Sequence, residues 1–119
     1  MSTHVELPVL PVRHKNEPCC GPATPPSLSQ TQTDRIVLRL KALGDPTRLR
    51  MLDLLTQQVE PLCVCEITAE FDLQQPTISH HIRILREAGL IAGEKRGVWS
   101  YYWATAEGKR VVSLVQTLA

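Results

Sequence analysis

The stretch QQPTISHHIRILREAGLI, residues 74–91, carries the clearest structural pattern in this chain of 119 residues. Pro76 suits the first turn of a helix, and the helical pattern continues to Glu87, after which Gly89 supplies a stop. The apolar residues of this segment share the i, i+4, i+7 spacing of one buried helical face: Ile78, Ile82 and Leu85. The stretch therefore predicts an amphipathic helix that leaves its polar side chains on the opposite face.

Three further helices are predicted upstream of this segment. Residues 34–43 carry apolar side chains at helical spacing and end at a glycine. Asp45 is an N-cap followed by Pro46 in the first turn, which opens a second helix over residues 46–57. After a break at a proline, a third, short helix covers about residues 64–72. The third and fourth helices are thus a pair joined by a tight link.

The periodicity changes downstream of the fourth helix. Residues 90–95 and 98–103 predict two strands around a tight turn at residues 96–97, because β-branched and aromatic side chains are common there. Residues 106–118 return to a helix whose apolar side chains cover much of its surface. A terminal helix of this kind needs a partner, and we expect it to pack with the helix of residues 34–43 across a two-fold axis.

Residues 1–33 differ in composition from the rest of the chain. They hold most of the nine prolines and show no helical or strand period, so we predict a flexible, largely extended arm before a domain over residues 34–119. The first residues lack a secretory signal, and no apolar run approaches the roughly 20 residues of a membrane span. We therefore expect a cytoplasmic protein without a membrane partner.

Two short helices followed by a β-hairpin are typical of a winged helix-turn-helix, an α+β fold that is mostly helical. The second helix of such a pair enters the major groove of DNA, and a dimer contacts two half-sites. Five polar residues are predicted on the outward face of this helix: Gln75, Thr77, Ser79, His80 and Arg83. Lys95 and Arg96 lie at the predicted hairpin tip, where a two-stranded wing contacts the phosphate backbone. The net charge of +1 alone would not indicate nucleic acid.

The segments LKALGDPTRLRMLDLL, CVCEIT, QQPTISHHIRILREAGLI and GVWSYYW together resemble the ArsR/SmtB family of metal-responsive repressors. The resemblance covers about residues 34–118. It implies a homodimer held by the terminal helices, and a repressor whose affinity for operator DNA falls when an inducer binds. It also implies a protein that is not an enzyme.

Four cysteines are the candidate inducer site: Cys19 and Cys20 in the arm, and Cys63 and Cys65 before the third helix. Residues at i and i+2 do not share a helical face, but in an extended or turn conformation at a helix start both sulfurs can point the same way. The positive end of the helix dipole would favour thiolates there. Metal or redox chemistry is therefore expected.

Family members that this chain resembles sense arsenite with a CVC pair at the start of the same helix. In one pattern a third cysteine follows, and this chain has Thr68 at that position. Cys19 or Cys20 is then the replacement, so that three thiolates bind As(III), with Sb(III) as an analogue.

Two alternatives remain open. Relatives that sense Cd(II) or Pb(II) combine arm cysteines with the CVC pair to form a four-thiolate site. The same thiols could also make a redox-sensing repressor. A zinc site on the last helix is disfavoured, because residues 106–119 contain one glutamate and neither histidine nor aspartate. His80 and His81 are interpreted as DNA-contacting or packing groups rather than metal ligands.

Overall fold

A computed structural model describes residues 21–119, so Cys19 and Cys20 lie outside the described residues. Within that range the chain forms five helices and three strands. In chain order they are α1 Gln30–Ala42, α2 Pro46–Thr56, β1 Leu62–Cys63, α3 Val64–Glu70, α4 Gln75–Glu87, β2 Ile91–Arg96, β3 Trp99–Ala104 and α5 Ala106–Gln116. The predicted order of helices and hairpin is confirmed. No helix in the described part of the chain is both long and apolar enough to cross a membrane.

The hydrophobic core lies where α2, α3 and α4 meet the base of the hairpin and α5. Its fully buried large side chains are Met51, Leu52, Leu55, Ile67, Ile78, Leu85 and Leu90. The three apolar positions predicted for α4 are all buried, so the opposite face of this helix is left for solvent. Burying one side chain of this size contributes roughly 1.5–3 kcal/mol, which orients α4 firmly.

The sheet has three strands in the order β1-β3-β2, and both pairs are antiparallel. The hairpin of β2 and β3 is the predicted wing. Gly97, at the turn, has a φ of +65°, a backbone conformation that glycine adopts without strain. The short strand β1 was not predicted. It places Leu62 opposite Tyr102 and Cys63 opposite Tyr101, so the segment before α3 is part of the sheet.

Helix α5 is anchored at its start. The Thr105 N–H donates to the Leu90 carbonyl at 3.1 Å, and the Thr105 hydroxyl donates to the Gly89 carbonyl at 2.7 Å. Gly108 lies so close to the Leu90 carbonyl that any side chain there would collide with it. Val112 belongs to the core of its own chain, whereas Leu114 in α5 and Leu118, just beyond its end, are exposed.

Helix α1 begins at Gln30, earlier than the predicted start at residue 34. Ser29 is its N-cap: the Gln32 N–H donates to the Ser29 hydroxyl, and the Ser29 N–H donates to the Gln32 side chain. This reciprocal capping satisfies amide groups that otherwise have no partner in the first turn. Residues 30–33 therefore belong to the folded part and not to an extended arm.

Candidate DNA-binding surface and cysteine site

Helices α3 and α4 form the helix-turn-helix, with α4 in the position of the recognition helix. The five side chains predicted to face outward from α4 are all exposed: Gln75, Thr77, Ser79, His80 and Arg83. Amide, hydroxyl, imidazole and guanidinium groups thus share one open surface. Such groups can contact base edges as well as phosphates.

His80 and Arg83 contact each other on this surface. A terminal nitrogen of the Arg83 guanidinium lies 3.1 Å from Nδ1 of His80. Arginine only donates hydrogen bonds, so Nδ1 of His80 acts as the acceptor in this arrangement. The pair presents one guanidinium and one imidazole edge in a defined orientation.

The wing carries the other two predicted DNA contacts, Lys95 and Arg96, and both are exposed. Nε of Arg96 lies 2.6 Å from a carboxylate oxygen of Glu94, and the guanidinium carbon lies 4.9 Å from the centre of the Tyr101 ring. Stacking on an aromatic face limits the freedom of the arginine. The position of Arg96 is therefore set by side chains of both wing strands.

Arg86 is a basic residue that sequence reasoning did not assign. It lies near the end of α4, and its guanidinium carbon is 5.9 Å from the Tyr102 ring of β3. Together with Ser79 and Arg83 it lines the cleft between α4 and the wing. Its signal in the sequence was its helical spacing from Arg83, which places both arginines on one side of α4.

Arg48 of α2 contacts three parts of the fold. Its guanidinium donates to the Ala42 carbonyl at 2.6 Å and the Lys41 carbonyl at 3.5 Å, both at the end of α1, and lies 3.2 Å from Nδ1 of His81 on α4. The Arg48 N–H also donates to the Asp45 carboxylate at 3.0 Å, which holds the pKa of that carboxyl below its usual value. Sequence reasoning did not identify this cluster.

His81 is half-buried, unlike the neighbouring His80, which is exposed. Burial is the main cause that lowers the pKa of His81 below its ordinary value of 6.5, and the charges of Arg48 and His80 lower it further. Asp45 opposes this shift by favouring the charged imidazole. His81 therefore packs inside the helix assembly rather than extending toward DNA.

Cys63 and Cys65 come together where β1 ends and α3 begins. Cys63 is the N-cap of α3 and Cys65 lies in its first turn. Their Cα atoms are 5.4 Å apart, and the structure joins their Sγ atoms as a disulfide, so the predicted convergence of the two sulfurs is observed. Cys63 is buried in the fold, whereas Cys65 is exposed.

Neighbouring polar groups are directed at the backbone rather than at the sulfurs. The Cys63 N–H donates to the Glu66 carboxylate at 3.0 Å, and the Thr68 hydroxyl donates to the Val64 carbonyl at 2.6 Å. Within residues 21–119 no three His, Cys, Asp or Glu side chains converge as a metal-binding group. The described part of the chain thus supplies two converging sulfurs, and the remaining predicted ligands, Cys19 and Cys20, lie outside it.

Comparisons with known proteins agree with this architecture. Residues 45–92 match the family described as "Bacterial regulatory protein, arsR family". The chain is 44% identical over 79 residues to an uncharacterised HTH-type transcriptional regulator of Methanocaldococcus jannaschii. The aligned residues are 66% of this chain and 88% of that protein. It is 37% identical over 95 residues to the arsenical resistance operon repressor of Escherichia coli, and this match covers 66% of this chain and 80% of that repressor.

A solved structure shares the fold as well. The solution structure of a homodimeric winged helix-turn-helix DNA-binding domain from Mycobacterium bovis has a TM-score of 0.67 and 28% identity to this chain. The match covers 77% of this chain and 87% of that domain. The chain therefore belongs to the arsR family of bacterial regulatory proteins, and it is a DNA-binding transcriptional regulator and not an enzyme.

Proposed function

We propose that this regulator is a homodimeric repressor that trivalent arsenic releases from its operator by binding to cysteine thiolates. The observation that carries the proposal is the convergence of Cys63 and Cys65 at the start of α3, the first helix of the DNA-binding pair. A ligand bound there is attached directly to the element that supports α4. The name of the similar Escherichia coli protein, an arsenical resistance operon repressor, supports the same inducer.

The ligand set consists of three soft sulfurs, which suit trivalent arsenic better than oxygen or nitrogen ligands do. Cys63 and Cys65, once reduced, provide two of them. The third is Cys19 or Cys20, because Thr68 has a hydroxyl where a third thiol would complete the site. That hydroxyl donates a hydrogen bond to the Val64 carbonyl. Sb(III) is expected to act as a chemical analogue.

Operator DNA is bound by α4 and the wing, through the seven exposed polar residues described above. The repressor acts in the cytoplasm, where a bacterial operator is located. Half-sites about one helical turn apart require two copies of the chain.

The dimer interface is formed by α1 and α5. Each exposes large apolar side chains in the single chain: Leu40 is 59% exposed on α1, and Leu114 is 59% exposed on α5. A salt bridge of 3.3 Å between Arg39 and Glu107 links the two helices at one point. Exposed large apolar side chains on two helices favour an interaction surface, and the homodimeric Mycobacterium bovis domain supports self-association.

Binding of the inducer would weaken DNA binding if the ligand draws the arm onto α3 and shifts that helix. The two recognition helices of the dimer would then no longer match successive major grooves. Coupling free energies of about 1–3 kcal/mol are typical, which corresponds to a roughly 5- to 150-fold loss of DNA affinity.

The test is fluorescence anisotropy under reducing conditions, on a duplex selected by the wild-type protein from random DNA. Arsenite is expected to release the wild type. Cys63→Ser and Cys65→Ser should bind DNA normally and stay bound in arsenite. The double variant Cys19→Ser/Cys20→Ser should also stay bound, and adding Thr68→Cys to it should restore release by completing the site within α3.

The remaining outcomes distinguish the alternatives. X-ray absorption at the arsenic edge should count three sulfurs. Release by cadmium or lead at far lower concentration than arsenite would favour the four-thiolate site instead. Release by an oxidant without any metal would favour a redox-sensing repressor, and an unchanged arsenite response in the double arm variant would refute the assignment of the third ligand.

A further inference from the structure

Arg48 connects the end of α1, the start of α2 and the middle of α4. Its Nε donates to the Ala42 carbonyl at 2.6 Å, and one terminal nitrogen lies 3.2 Å from Nδ1 of His81. The other terminal nitrogen approaches the Lys41 carbonyl at 3.5 Å. The three guanidinium nitrogens are therefore divided between two helices other than the one that carries Arg48.

The chemistry of this contact requires a neutral His81. Arginine stays protonated and can only donate, so Nδ1 of His81 must accept. The carbonyls of Ala42 and Lys41 are at the negative end of the α1 dipole and match the positive guanidinium. Arg48 thus joins the C-terminal end of α1 to α4 in one charge-assisted arrangement.

We propose that Arg48 is a positioning residue for DNA binding, which holds the recognition helix α4 against the end of α1 through a neutral His81. The proposal rests on the assignment of α4 as the recognition helix. Since α1 is part of the proposed dimer interface, Arg48 relates the orientation of each recognition helix to that interface. Neither Arg48 nor His81 needs to touch DNA for this role.

A pH dependence follows from the same geometry. Protonation of His81 would put a hydrogen on Nδ1 and set two cations against each other. The charged groups that face His81 are Arg48 and Asp45 at the start of α2 and His80 on α4. Because its pKa is lowered from 6.5, His81 is neutral above that value, and the contact is lost as the pH falls through the lowered pKa.

The experiment measures operator affinity between about pH 5.5 and about pH 8 for the full chain and two variants. Arg48→Lys keeps the positive charge but cannot reach both helices, and it should bind DNA roughly tenfold more weakly at the upper pH. His81→Asn keeps an acceptor close to the Nδ1 position and does not titrate. It should hold the affinity of the wild type at the upper pH and lose less of it on acidification.

Comparing His81→Asn with the wild type cancels every effect of pH that the two proteins share. Arg50 is an exposed arginine on the same helix, so Arg50→Lys is the matched control and should bind DNA as the wild type does. Circular dichroism and size-exclusion chromatography establish that each variant is folded and dimeric. If Arg48→Lys does not fold, the proposal is tested by His81→Asn alone: a smaller loss of affinity on acidification than in the wild type supports it, and an equal loss overturns it.

Arg83→Ala separates this proposal from the one on which it rests. Full affinity in Arg83→Ala would overturn the assignment of α4 itself. Loss of affinity in Arg83→Ala, together with wild-type affinity in Arg48→Lys and an unchanged pH profile in His81→Asn, would overturn only the role of Arg48.

Discussion

Cys63 lies directly opposite Tyr101 in the antiparallel pair of β1 and β3. Tyr101 in turn supports Arg96 of the wing, 4.9 Å from its ring. One buried cysteine of the proposed inducer site is thus a sheet neighbour of the strand that carries the wing. A ligand at Cys63 can therefore act on the wing as well as on α3.

The wing residues are expected to add affinity without sequence preference. Lys95→Ala or Arg96→Ala should weaken binding to every duplex by a similar factor, because phosphate contacts carry no base information. The slope of log affinity against log salt should decrease by about 1 for each lost contact. Anisotropy titrations at several salt concentrations measure this slope. A variant with an unchanged slope but an altered sequence preference would contradict a phosphate contact.

His80 and Arg83 are expected to provide specificity. Replacing both with alanine should reduce operator affinity by at least about 30-fold, because each good side-chain contact to a base is worth roughly 1–3 kcal/mol. Dimerisation should survive, since neither residue is buried. Arg50→Ala, which removes an exposed arginine on α2, is the control. If the double alanine variant binds the operator within twofold of the wild-type affinity, His80 and Arg83 do not provide the specificity.

Leu114 is the residue that tests the interface. Leu114→Glu should raise the dissociation constant of the dimer by about 100-fold or more, because an unpaired charge buried at an interface costs at least about 3 kcal/mol. The monomer should stay folded, since Leu114 is 59% exposed within one chain. Sedimentation measures the association state and circular dichroism the fold. An unimpaired dimer would show that the interface lies elsewhere.

Val112→Glu offers a contrast on the same helix. Val112 is buried inside its own chain, so the charged variant should lose its fold and not merely its partner.

Thr105 is expected to stabilise the attachment of α5. Its hydroxyl accepts from the Gly108 N–H at 3.0 Å and donates to the Gly89 carbonyl at 2.7 Å, so Thr105→Ala should lower the free energy of unfolding by about 1–2 kcal/mol. Thr117→Ala, at the exposed end of α5, should change it by less than about 0.5 kcal/mol. Urea unfolding at one fixed protein concentration compares the two, and equal effects would contradict the capping role.

Much of this fold was predictable because its signals are local. Ile78, Ile82 and Leu85 set the face of α4 by their spacing alone, and the exposed polar residues follow from it. Strand β1 has no such signal, since two residues cannot show alternation and their conformation depends on pairing with Tyr101 and Tyr102. It could not be read from residues 62–63 in isolation.

The start of α1 and the role of Arg48 were missed for different reasons. Ser29 and Gln32 carry the spacing of a capping box, but the prolines before them are typical of an extended arm. Arg48 shows nothing unusual in the sequence, because its partners on α1 and α4 are brought to it only by helix packing. Capping is encoded within one turn, whereas a contact between helices is not.

The unequal burial of Cys63 and Cys65 sets an order of events for any thiol-seeking ligand. Once the disulfide is reduced, a reagent in solution is expected to reach the exposed Cys65 first and to bind the buried Cys63, which is 7% exposed, in a second, intramolecular step. That second step depends on the local concentration of the tethered ligand and not on its concentration in solution. A reagent able to form only one bond to sulfur has no second step, so the proposed site would favour ligands that bind several sulfurs.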